Sequence, residues 1–289
     1  MEYPSGTLFI VSTPIGNLKD ITVRAIEVLR EVDGIIAEDT RHSKRLLDHY
    51  DIETEFTTSY YQGAEDKIPH YIQLLRAGNR LALISDAGTP LISDPGYKLI
   101  RSVLAESFPV HAIPGPSAML AALTVSGQPT DSFIFDGMLP KKKTQKENYF
   151  EELTTERRTV ILYDSPHRLK DTLRVLAKVL PERQLTLCRE LTKRHEETLR
   201  GTSEEVKDAM EKRDSIKGEL TLVIAGASEE EIRAYKRSQY SDLSFTNQLK
   251  ALQEIKNLSR KEAMNKVAEL RGMSKNQVYE KVLEEKENH

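Results

Sequence analysis

A chain of 289 residues is too long for one small core and suits two or three domains. Its 42 basic and 45 acidic side chains leave a formal charge of −3, which excludes the strongly basic profile of a non-specific nucleic-acid binder but permits local basic patches. The one cysteine, Cys188, excludes internal disulfides and a thiolate zinc cage, and the seven histidines lack compact ligand spacing, so no metal is expected. No run approaches the roughly 18 apolar residues of a membrane span, and the expectation is a cytoplasmic protein.

The chain opens with a strand at 8–11, a helix near 22–32, a strand at 35–37 and a helix near 43–50. A helix near 66–77, a strand at 81–85, a helix near 97–105, a strand at 110–113 and a helix near 117–123 follow. This alternation predicts a mainly parallel sheet covered on both faces, with ligands beyond the carboxyl ends of the strands at a switch in strand order. Loops 12–17, 86–90 and 114–118 leave such ends and are expected to gather on one edge. They are rich in Gly, Pro, Ser, Thr and Ala, residues that fix a loop's path while letting a ligand reach the main chain.

Gly127-Gln128-Pro129-Thr130 breaks the pattern. A second mixed α/β lobe is expected beyond it, with strands at 133–135, 160–163, 185–189 and 220–225 and an amphipathic helix at 169–180. After Ala225 the chain turns charged and helical. Ser259 with Glu262, and Ser274 with Gln277, fit the capping box, and Gly272 is placed to end the helix between them. Ala268, Gly272 and Val278 have helix-turn-helix spacing, which fits either a packed helical hairpin or a nucleic-acid module. The resulting division is 1–125 for a first α/β lobe carrying the ligand loops, 126–230 for the second lobe, and 231–289 for a helical tail that could bind RNA.

Glu38-Asp39 stands about 20 residues beyond the first loop, where a dinucleotide-binding domain places its ribose carboxylate. That loop offers only Gly16, however, so the dinucleotide fingerprint fails, and no phosphate-loop motif exists. Gly115-Pro116-Ser117 lacks the second glycine of a hydrolase elbow, Met119 standing there, and Ser117 reads instead as a helix N-cap. Asp94 reads as a helix-start residue. Basic residues gather at Arg41, His42, Lys44 and Arg45; at Lys141, Lys142, Lys143 and Lys146; at His167 and Arg168; and at Arg189, Lys193, Arg194 and His195. Their position at strand ends and loops fits an anionic substrate laid across a cleft between the lobes.

Four runs together resemble the bacterial ribosomal RNA small-subunit methyltransferase I family, a branch of the tetrapyrrole methylase fold: VSTPIGNL from Val11, AEDTRHS from Ala37, SDAGTPLISDPG from Ser85, and IPGPSA from Ile113. YDSPHR from Tyr163, CRELTK from Cys188 and KGE from Lys217 extend the resemblance over nearly the whole chain. It implies transfer of a methyl group from S-adenosylmethionine to the ribose 2′-hydroxyl of a cytidine in 16S rRNA, with the rRNA or the small ribosomal subunit as partner and a homodimer as the usual assembly. Carried over by position, the cofactor rim falls on Pro14, Ala87, Gly88, Thr89, Ile92, Ser117 and Ala118, with further contacts at Tyr163, Asp164 and Leu191. Thr89 replaces the acid that small-molecule relatives carry, which implies a contact through backbone.

Ribose methylation calls for a base, and Asp39, Glu190 and Lys193 are the candidates, with Asn17 and Arg41 orienting ribose or phosphate. Asp39 as a helix cap and Glu190 as a partner of Arg189 remain open alternatives. His42, Lys141, Lys142, Lys143, His167, Arg168 and Arg189 are the expected RNA contacts. Two other functions compete: a tetrapyrrole-type small-molecule methylase, and a nucleic-acid-binding regulator with an inactive α/β body.

Overall fold

The computed structural model describes residues 3–241, 243–256 and 258–287, without the side chains of 236–241, 255, 256, 286 and 287. The expected tail therefore includes residues 242, 257, 288 and 289, which lie outside the described residues.

The N-terminal half builds β1 (Leu8–Val11), α1 (Val23–Glu31), β2 (Gly34–Ala37), α2 (Thr40–His49), β3 (Phe56–Ser59), α3 (Ile68–Arg76), β4 (Leu81–Ile84), α4 (Tyr97–Ala105), β5 (Val110–Ile113) and α5 (Ala118–Ser126). Every residue of β1, β2 and β4 is buried, as expected of parallel strands covered on both faces. One face packs on Phe9, Val28, Leu29, Ile35 and Ile84, the other on Leu8, Ile36, Tyr71, Leu75 and Leu99. Each such side chain contributes about 1.5–3 kcal/mol by leaving water. The strand order is β3-β2-β4-β1-β5, all parallel. This order sets β4, β1 and β5 side by side, so the loops that follow them become neighbours.

The second half builds β6 (Phe133–Met138), α6 (Lys143–Glu152), β7 (Thr159–Asp164), α7 (Pro166–Val179), β8 (Gln184–Arg189), β9 (Glu197–Thr202), α8 (Ser203–Glu211) and β10 (Leu220–Ile224). Its sheet, β6-β7-β10-β8-β9, is parallel only between β6 and β7. α5 joins the two sheets: Ala122 and Leu123 share one cluster with Ile15, Ile161, Cys188, Leu191 and Val223. The edge strands β3 and β9 and the helices α6 and α8 are additional to the expected elements. α2 begins at Thr40, earlier than expected, because Asp39 caps it.

The chain separates into one compact unit of Met1–Lys143 with Thr159–Ala225 and another of Thr144–Arg158 with Gly226–His289. This differs from the three-part expectation, since both sheets share a unit and 144–158 belongs with the tail. Two contacts explain the second point: Ala227 N donates to Glu156 O at 2.6 Å, and Arg157 pairs with Glu229 at 2.7 Å. The second unit carries α9 (Glu229–Ser241), α10 (Phe245–Lys256), α11 (Arg260–Arg271) and α12 (Lys275–Glu287), closed on Leu249, Leu252, Val267, Val278 and Val282. Both capping boxes form, and Gly272 ends α11 at φ 64°.

Candidate active site

The three loops beyond β1, β4 and β5 lock together. Thr13 and Gly88 exchange backbone hydrogen bonds of 2.8 and 3.0 Å. Ser12 Oγ donates to Thr89 Oγ1 at 3.1 Å, and Thr89 Oγ1 donates to Pro116 O at 3.2 Å, so one hydroxyl ties all three. Gly115 is needed for the approach, because a β-carbon there would lie 2.9 Å from Ser12 Cβ, and Gly88 sits at φ +81°. The Thr89 side chain is thus occupied within the rim, which leaves the backbone to face a ligand.

A cavity of about 380 Å³ opens on this rim, lined by Ala87, Gly88, Thr89, Ile92, Ser117 and Ala118 from the first sheet and by Met138, Tyr163 and Asp164 from the second. That volume suits a nucleoside-sized ligand. Asp164 Oδ1 pairs with Arg168 at 3.1 Å, while its buried Oδ2 lacks a hydrogen-bond partner among the described residues, leaving an acceptor for a ligand donor in the wall. Asp94 also lines the cavity. Burial, reinforced by the charges of Glu38 and Asp86 and opposed by a Ser85 hydrogen bond, raises its carboxyl to about 6. Burial likewise raises Glu38, which accepts from Asp86 N at 3.3 Å.

A second cavity of about 290 Å³ is lined by Thr13, Pro14, Gly16, His42, Arg45, Asp86 and Lys193, and the two cavities share Ile15, Ala87 and Glu219. Lys193 pairs with Glu190 at 2.9 Å and Glu219 at 3.1 Å and lies against Gly16, where a β-carbon would come within 2.4 Å of its Cγ. Burial pulls the Lys193 ammonium down, but Glu190 and Glu219 more than offset it and hold the amine protonated. Among the described residues four of the six non-glycine residues with positive φ, Leu91, Ser93, Glu190 and Thr192, belong to the loops around these cavities. Such backbone persists only where packing enforces it and marks functional loops.

The cavity on the rim gathers Ala87, Gly88, Thr89, Ile92, Ser117, Ala118, Tyr163 and Asp164. Pro14 lines the neighbouring cavity instead, and Leu191 packs inside the core cluster that joins the sheets. Ser117 occupies the N-cap position of α5, but its side chain makes no capping hydrogen bond. Each expected base is engaged by neighbouring groups. Asp39 caps α2 and grips Arg41 through both oxygens, and these bonds hold its carboxyl at about 2. Glu190, lowered chiefly by its Lys193 hydrogen bond, also accepts from Glu219 N, and a protonated Lys193 cannot accept a proton. Asn17 caps a 3-10 turn by accepting from Lys19 N.

Two expected RNA contacts have protein partners. Arg168 Nη2 donates to Leu139 O at 2.7 Å besides pairing with Asp164, and Arg189 pairs with Glu197 at 3.0 Å and reaches Lys217 O. Both are half-buried, and phosphate would have to compete with these bonds for them. His42, Lys141, Lys142, Lys143 and His167 are exposed. Asp94 and Glu219 were missed as site residues, although the resemblance quoted the runs containing both.

Residues 7–207 match the family of tetrapyrrole (corrin/porphyrin) methylases, and the fold agrees. A solved cobalt precorrin-4 methyltransferase, a cobalamin biosynthetic enzyme, superposes with a TM-score of 0.57 at 16% identity, over 76% of this chain and 95% of that one. The protein is therefore a methyltransferase of the tetrapyrrole methylase class, and S-adenosylmethionine is its methyl donor. The chain is 44% identical over 275 residues to ribosomal RNA small subunit methyltransferase I of Halalkalibacterium halodurans, covering 95% of this chain and 93% of the relative. It is 42% identical to the protein of that name from Synechocystis sp., over 96% and 98%. It belongs to the ribosomal RNA small subunit methyltransferase I family.

Proposed function

We propose that this methyltransferase modifies the ribose 2′-hydroxyl of a cytidine in 16S rRNA of the small ribosomal subunit, acting in the cytoplasm as a homodimer. The observation that carries this reading is the pair of adjoining cavities. One is lined by small-residue loops, and the other carries His42, Arg45 and Lys193, cations suited to a phosphodiester. The names of the relatives point to the same RNA.

A sulfonium-bound methyl is already electrophilic, so the protein's work is to bind, align and exclude water. Ala87, Gly88, Thr89, Ser117 and Ala118 would hold the donor along the rim, Ile92 and Tyr163 would close over it, and Asp164 Oδ2 would accept one of its hydrogen-bond donors. The carboxylates of Asp94 and Asp164 favour a cationic ligand in that cavity. His42, Arg45 and Lys193 would orient the acceptor's phosphates. A nucleotide within folded rRNA must be extruded at a cost of a few kcal/mol, which contacts to Lys141, Lys142, Lys143 and His167 would offset. In the helical unit, Arg260, Lys261 and Lys275 line a hollow at the starts of α11 and α12, which supports an RNA role for the tail.

Nucleoside mass spectrometry of 16S rRNA from cells lacking the protein tests the proposal. Loss of one 2′-O-methylcytidine, restored by the gene, is expected; an unchanged 2′-O-methyl inventory would overturn it.

A further inference from the structure

A ribose hydroxyl attacks well only as its proton departs, so methylation at ribose needs an acceptor where the two cavities meet. Of the three described residues lining both, Ile15 and Ala87 are hydrocarbon, and Glu219 carries a group that takes a proton. We propose that Glu219 is the catalytic base, an inference that rests on ribose being the acceptor.

The other nearby carboxylates are placed elsewhere. Asp39 is held by Arg41 and the α2 backbone, and Glu190 by Lys193 and Glu219 N. Asp86 accepts from Asp39 N and lines only the acceptor cavity, while Asp94 and Asp164 line only the donor cavity. The fold delivers Glu219 deliberately. Glu190 N donates to Glu219 O and Glu219 N to Glu190 Oε1, both at 3.0 Å, pinning the start of β10. Gly218 makes the turn at φ +96°, where a β-carbon would lie 2.4 Å from the Glu190 side chain.

The charged and titratable groups that face Glu219 are Lys193 and Glu190 from the loop after β8, and Tyr163 from β7. His42 and Arg45 from α2 and Asp86 stand across the acceptor cavity, and Asp94 and Asp164 across the donor cavity. Lys193, protonated, lies 3.1 Å from Glu219 Oε2, so the proposed base is ion-paired at the meeting of the two cavities. In the transfer the oxygen–carbon bond forms as the carbon–sulfur bond breaks, the sulfur keeps the electron pair, and the hydroxyl proton passes to Glu219. The exposed carboxyl then returns that proton to water.

The test compares wild type, Glu219→Gln and Glu219→Asp in single-turnover methylation of small-subunit rRNA, with product nucleosides identified. Calorimetric affinities for S-adenosylhomocysteine and for the RNA are measured alongside. Glu219→Gln is expected to slow transfer about 10²- to 10³-fold with both affinities within about threefold of wild type, and Glu219→Asp to recover part of the rate. A Glu219→Gln rate within about threefold of wild type, on ribose, overturns the base and leaves the ribose reading standing. Affinities falling as far as the rate would reassign Glu219 to binding and overturn the base. A wild-type product methylated on a nucleobase overturns both.

Discussion

In the all-parallel sheet, the loops after β1, β4 and β5 form the rim with backbone, held by Gly88, Gly115 and the single hydroxyl of Thr89, and Asp86 and Asp94 are the carboxylates they add to the cavity walls. In the mixed sheet, the site-facing ends of β7, β8 and β10 reach it as paired charges: Asp164 with Arg168, and Lys193 with Glu190 and Glu219. The first arrangement is sensitive to volume and the second to charge. A backbone rim suits a donor that brings its own reactive bond, whereas orienting an anion and moving a proton require ionisable groups.

Substitutions should respect that contrast. The largest effect is expected at Arg168→Gln, which strands the fully buried Asp164 carboxylate and should cost about 3–5 kcal/mol in urea unfolding. Adding Asp164→Asn should recover much of it; additive losses would mean the pair is not coupled. Asp39→Ala should be milder, lowering the melting temperature by about 2–4 °C through the lost α2 cap while methyl transfer stays within about threefold of wild type. A collapse of turnover would return Asp39 to the mechanism. The smallest effect concerns Asp94, whose folded carboxyl at about 6 lies above its unfolded value. The native state therefore binds this proton more tightly, and stability is lost as pH rises through about 4 to 6. Asp94→Asn should leave melting unchanged below pH 4 and raise it by about 1–3 °C above pH 7. The opposite sign would show that Asp94 is stabilising as an anion.

The same contrast governs what the sequence disclosed. Four-residue apolar runs such as Gly34–Ala37 and Leu81–Ile84 announce buried parallel strands, and their small-residue loops announce a ligand edge. β3 and β9 stayed hidden because edge strands carry polar residues, Phe56–Ser59 and Glu197–Thr202, without an apolar run. α8 did carry a readable signal, the capping box of Thr202 and Glu205. Charged residues were harder, because their roles depend on partners distant in sequence. Arg168 read as a free cation, yet its partners include the carbonyl of Leu139, and Arg189 is held by Glu197 across the β8–β9 hairpin. Glu219 gains its position from Glu190, 29 residues earlier.

The division of labour between the backbone rim and the paired charges is tested most directly by titrating S-adenosylhomocysteine and rRNA separately into wild type, Gly115→Val and Lys193→Ala. Gly115→Val, which forces a β-carbon against Ser12, should weaken S-adenosylhomocysteine about 10- to 100-fold and leave RNA affinity unchanged. Lys193→Ala should do the reverse, weakening RNA about tenfold with S-adenosylhomocysteine unaffected. Equal losses of both ligands in both variants would contradict the account.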